Sequence, residues 1–163
     1  MATYLWVEDA IPFQLSLVLP KIGESLRFTL GLTYVPNLVG TKLWKPEEVL
    51  PDSYYFDWES DYIGMYICGE NALVSISPAS NRKAIYVSPD YWRTKLEYAL
   101  AAAVVIAISE ISKSQISDPA LAYIKEPTLP PKEFAESIRV DGTFDDINEA
   151  AQSFFSRLPM SPE

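Results

Sequence analysis

Strand-like segments grouped in the first half of the chain and helical segments in the second predict an α+β domain. Helices would cover one face of a largely antiparallel sheet of about five to six strands. Three observations carry this reading. Residues 13–34 alternate apolar and polar side chains, Ile63 to Cys68 and Ala72 to Ser77 flank the hairpin signal Gly69-Glu70-Asn71, and from Leu96 apolar residues recur at three- and four-residue steps. With 163 residues and 48% apolar content, the chain is expected to be a single domain, 1–163, able to bury a core without a disulfide.

Tyr4 to Val7 is too short to decide alone and reads as an edge strand. Phe13, Leu15, Leu17 and Leu19 face one way and Gln14, Ser16 and Val18 the other. After Pro20, Gly23 and Ser25, a second alternation places Leu26, Phe28, Leu30, Leu32 and Tyr34 on one face. The expectation is an antiparallel hairpin. Residues 36–61 lose periodicity and contain Pro36, Gly40, Pro46 and Pro51, which predicts a long acidic aromatic loop; loops of that length are commonly functional.

Ile63 to Cys68 and Ala72 to Ser77 flank a three-residue connection with Gly and Asn, a hairpin signal, and Ala84 to Val87 adds a strand. A long central helix is then expected from a Ser88 cap, with Pro89 at its first position and Asp90 complementing the dipole, through about Ser112. Leu96, Leu100, Ala103, Ala107 and Ile111 form its stripe. Gln115 to Ser117 reads as a short strand before an Asp118-Pro119 turn, and 119–130 as a Pro-rich connector. Two C-terminal helices follow, Pro131 to about Ile138 and one capped by Thr143, with Asp146 as its capping-box partner, through Ser156. Phe144, Ile147, Ala151, Phe154 and Phe155 would be its buried residues.

Several chemistries are excluded by composition. Without histidine there is no Ser-His-Asp triad, Cys-His pair or imidazole zinc site, and the single Cys68 cannot form a CxxC pair. Cys68 falls within an expected strand and reads as a small inert hydrophobe. The six glycines form neither a dinucleotide turn nor a P-loop, so no cofactor is expected. Ser80-Asn81-Arg82-Lys83 matches the spacing S-x-x-K, but in a turn and without companion motifs. The expectation is a non-enzyme. One cysteine, no signal-peptide pattern and no apolar run of membrane-spanning length predict a cytoplasmic protein.

The net charge of -9 opposes nucleic acid and anionic membranes and favours a basic protein partner. Most of it lies in one place. From Glu47 to Tyr62 there are six carboxylates, Glu47, Glu48, Asp52, Asp57, Glu59 and Asp61, no basic residue, and five aromatics, Tyr54, Tyr55, Phe56, Trp58 and Tyr62. Tyr and Trp dominate interface hot spots, and a carboxylate field speeds encounter with a basic partner. The bland alternative is that the aromatics turn inward as anchors while the acids solvate the outside.

Asp52-Ser53-Tyr54-Tyr55 resembles the acidic, paired-tyrosine segment by which colicin nuclease immunity proteins contact their toxins. The resemblance covers four residues and is one of surface style, since those proteins are all-helical. It implies an inhibitor or toxin-immunity role against a basic partner such as a nuclease. Two alternatives stand beside it. If the segment is extended, Asp57, Glu59 and Asp61 would share a face and could hold a metal for a hydrolase, or help bind a small ligand. The chain could also be an assembly subunit that pairs through an exposed sheet edge.

Overall fold

A computed structural model describes residues 4–79, 81, 83–89 and 91–161. In chain order the elements are β1 (Leu5–Val7), β2 (Phe13–Gln14), α1 (Leu15–Leu30), β3 (Leu38–Lys42), β4 (Lys45–Val49), β5 (Tyr55–Phe56), β6 (Ile63–Ile67), β7 (Leu73–Ala79) and β8 (Ala84–Ser88). Then come α2 (Lys95–Ser112), β9 (Ile116–Ser117), β10 (Thr128–Leu129), α3 (Pro131–Ile138) and α4 (Ile147–Ser156). The α+β class holds, with an eight-stranded antiparallel sheet ordered β10-β9-β1-β8-β7-β6-β3-β4 and a separate β2-β5 pair, in place of five to six strands. Among the described residues no helix is long and apolar enough to cross a membrane.

The largest correction concerns residues 13–34. Only Phe13–Gln14 is strand, and the rest is mainly α1. Leu15, Val18, Ile22, Leu26 and Leu30 are all fully buried at steps of three and four, whereas Leu17 of the supposed strand face is half exposed. Two periodicities coexist in this stretch, and packing on the sheet and on α2 selects the helical one. Pro20, which sits inside the helix, occupies an exposed position. The helix ends at Gly31, whose φ of 63° suits glycine. A Cβ there would also collide with the carbonyl oxygen of Gly142.

Residues 36–61 are likewise more regular than the expected loop. They contain the β3–β4 hairpin and β5. The polar, Pro-containing composition that hid β4 is that of an edge strand. Farther on, β6, β7 and β8 lie within two residues of the expected strands, and Cys68, expected inside a strand, is half-buried one residue beyond β6.

On the sheet, Gly40, Met65, Val74, Ile76, Val87 and Leu5 face the helices. A Cβ on Gly40 would stand 2.5 Å from Leu15 Cδ1, which shows how closely α1 lies on β3. Helix α2 packs on β1, β7 and β8, and α3 and α4 pack on α1 and α2. Sandwiched in this way, α2 is buried around almost its whole circumference from Leu96 to Ser109, which explains its alanine-rich sequence.

Two helix starts differ from expectation. Ser88 is in β8, and α2 begins at Lys95 with Thr94 as cap, its Oγ1 accepting from Glu97 N at 3.2 Å. Asp90 lies outside the described residues, as do Ser80 and Arg82 of the S-x-x-K match. Helix α4 is capped by Asp146 rather than Thr143, the carboxylate accepting from Asn148 N and Glu149 N. Helix α3 matches its expected range and starts at Pro131.

The connector before α3 is organised by a buried carboxylate. Asp118 is 1% exposed, and it accepts hydrogen bonds from Ala122 N (3.2 Å), Tyr123 N (2.7 Å) and Ile124 N (3.0 Å). Its backbone N donates to Pro127 O, fixing β9 against the returning chain. Asp118→Ala would strand three buried donors, an expected cost of about 3 kcal/mol. Thermal unfolding should show a midpoint lower by about 6–12 °C.

Candidate functional site

The acidic segment is held rigidly because it completes α1. Gln14 offers no side-chain cap, and the first two N–H groups of the helix, Leu15 N and Ser16 N, donate to Tyr54 O and Asp52 O at 3.0 and 2.9 Å. Beside this cap, β5 pairs with β2 in the register Phe13↔Phe56 and Gln14↔Tyr55. Phe56 is fully buried and stacks on Phe13, with ring centroids 5.3 Å apart. Leu50 N closes the approach to the segment by donating to Gly40 O.

The aromatics therefore divide. Phe56 is core, Tyr54 and Trp58 are half-buried against it, and Tyr55 and Tyr62 are 54% and 55% exposed. The carboxylates divide as well. Glu48 faces Lys42 and Lys45 at 3.6 and 3.4 Å, while among the described residues no cation pairs with Glu47, Asp52, Asp57, Glu59 or Asp61. Anchoring and display thus occur in one segment, and of the residues singled out by sequence, Tyr55, Tyr62, Glu47, Asp52, Glu59 and Asp61 are the exposed ones.

The extended geometry that would align Asp57, Glu59 and Asp61 is not formed. Residues 57–60 make a turn in which Ser60 N donates to Asp57 O. Asp57 Oδ1 accepts from Glu59 N (2.9 Å) and Ser60 Oγ (3.2 Å), and Ser60 Oγ accepts from Asp57 N. Asp57 thereby serves as a turn former. Among the described residues no three Asp, Glu or Cys side chains converge as metal ligands.

Both sheet edges carry features that oppose edge-to-edge pairing. β4 is Lys45-Pro46-Glu47-Glu48-Val49, and β10 has two residues between Pro127 and Pro130. Prolines, charges and short length on an edge strand all discourage addition of another strand.

A second aromatic group was not foreseen. On the sheet face away from the helices, Trp44 stacks on Tyr91 with centroids 5.1 Å apart and planes 10° from parallel. Tyr91 meets Trp92 edge-on at 4.4 Å, and Trp92 approaches Tyr66 at 6.4 Å. Trp44, Tyr91 and Trp92 are 39%, 36% and 40% exposed. The sequence signal was the Tyr91-Trp92 pair, hidden because the segment reads as the first turn of α2. Register places the two surfaces near each other: Lys42 pairs with both Ile63 and Lys45, so Tyr62 and the Leu43-Trp44 turn lie at the same end of the sheet.

No protein-family model, curated protein or solved structure matches the chain.

Proposed function

We propose that this chain is a non-catalytic protein-binding domain that neutralises a basic partner, in the manner of an inhibitor or toxin-immunity protein acting in the cytoplasm. A nuclease is the partner class that best suits the charge, because a protein that handles polyanions presents a basic surface. The observation that carries the reading is the display of Tyr55 and Tyr62 beside unpaired carboxylates on a segment pinned to α1. Such a surface needs little ordering on binding, so its tyrosines can serve as anchors. The nearby Trp44, Tyr91 and Trp92 extend the apolar area available to a partner.

Affinity capture from the source cell, at low and at high salt, identifies the partner, and titration of that partner measures the site. Tyr55→Ala and the double change Glu59→Lys with Asp61→Lys should each weaken binding about tenfold or more. Added salt should weaken the wild-type complex and have little effect on the charge-reversed variant. Unchanged affinity in both variants would refute the proposal. Both substitutions are on the surface, so stability should stay within about 0.5 kcal/mol of wild type.

A further inference from the structure

Away from the acidic segment, α1, α2 and α3 enclose a groove of about 450 Å³. Its apolar surface comes from Phe28 of α1, Ile106 of α2, and Pro131 and Ala135 of α3. Clefts of this size between helices are a common setting for small-molecule sites. Lys21 and Lys132 also line it.

One lysine comes from α1 and the other from α3. Val140 N donates to Thr29 O at 2.9 Å, tying the chain just after α3 to the last turn of α1. Lys21 and Lys132 each lie eight residues before that tie, on helices that line the same groove. At the tied end, the Arg139 guanidinium lies over the Phe28 ring, 4.4 Å from its centroid. Among the described residues no carboxylate pairs with Lys21 or Lys132, whereas Glu24 on the rim is engaged by Arg27. The remaining rim carboxylates, Glu110 and Glu136, are exposed and sit on different helices.

From this geometry we infer that the groove binds a small amphiphilic carboxylate, its apolar chain lying along Phe28, Ile106 and Ala135 and its anionic head between Lys21 and Lys132. Lysine stems pack on an apolar chain while their ammonium groups reach the head, so both parts of such a ligand are matched. The inference is independent of the acidic surface.

Calorimetry with decanoate, kept below its micellar concentration, tests it, with decanol and decylamine as neutral and cationic controls. Saturable one-to-one binding of decanoate is expected, with the controls weaker. The double variant Lys21→Gln, Lys132→Gln should lose about tenfold in decanoate affinity. Ala135→Phe should fill the groove and abolish binding; circular dichroism and an unchanged unfolding midpoint would show that each variant folds. Absence of saturable decanoate binding, equal affinity for decylamine, or indifference to the lysine changes would overturn the inference. So would a protein partner that competes for the groove when decanoate does not bind, since the occupant would then be a partner helix.

Discussion

Replacing Glu97 with alanine should lower the thermal unfolding midpoint by about 6–12 °C, corresponding to about 3 kcal/mol in a domain of this size. Glu97 is fully buried at the start of α2. Its Oε2 accepts from Leu73 N at 3.0 Å, its Oε1 from Arg93 N at 2.7 Å, and both oxygens from Trp92 N at 3.1 Å. One carboxylate thus holds together β7, the Trp92-Arg93 backbone and the α2 N-terminus. Alanine would leave the N–H groups of Leu73, Trp92 and Arg93 without this partner, the first of them buried and the other two partly so. A midpoint within 2 °C of wild type would contradict this assignment.

The same group gives a pH signature. Burial raises the Glu97 pKa above the ordinary carboxylate value, and the N–H donors from Leu73, Trp92, Arg93 and Thr94 offset only part of that. A raised pKa means the folded protein holds this proton more tightly than the unfolded chain does. The resulting contribution is complete below the ordinary carboxylate pKa and disappears as pH rises through the folded value. Chemical denaturation of wild type and Glu97→Gln across that window isolates the effect. The stability advantage of wild type over the variant should shrink with rising pH; an advantage that grows would show the opposite shift.

Phe56→Ala has the second large effect, about 3–5 kcal/mol, as expected for removing a fully buried ring. It acts on the acidic segment directly. Without the stack on Phe13, β5 loses its hold on β2, and the Tyr54 and Asp52 carbonyls no longer cap α1. Hydrogen exchange at the Leu15 and Ser16 amides should accelerate together. At temperatures where the variant stays folded, partner affinity should fall although no contact residue has been altered. Tyr55→Ala should do the converse, weakening the complex while leaving exchange at those amides unchanged. The pair separates holding the segment in place from touching a partner.

These cases also show what was legible in the sequence. The β6–β7 hairpin was readable because two short apolar-rich runs flank a Gly-Glu-Asn turn. Helix α1 was not: Leu15 satisfies a strand pattern with Phe13 and a helix pattern with Val18, and contacts with distant elements decide between them. For α2, Ser88-Pro89 imitates a helix start, while the Thr94 cap gains its advantage from Glu97 reaching Leu73. The acidic character of the candidate site was plain. Which aromatics turn inward depended on Phe13 lying opposite Phe56, and the Trp44–Tyr91 stack joins segments that no local pattern connects.

The closure of α1 has a consequence for how the protein is made. Its last turn is secured by late residues: Val140 N donates to Thr29 O, Phe144 N to Gly31 O, and Thr33 Oγ1 to Asp145 at 2.7 Å. During synthesis the helix emerges long before the groups that fasten it: Asp145 follows Thr33 by 112 residues. Until then α1 has an unfastened end and an exposed apolar stripe, which is the situation in which nascent chains recruit chaperones. Emergence of residues 140–145, rather than of α1 itself, should therefore be the event that fastens this helix.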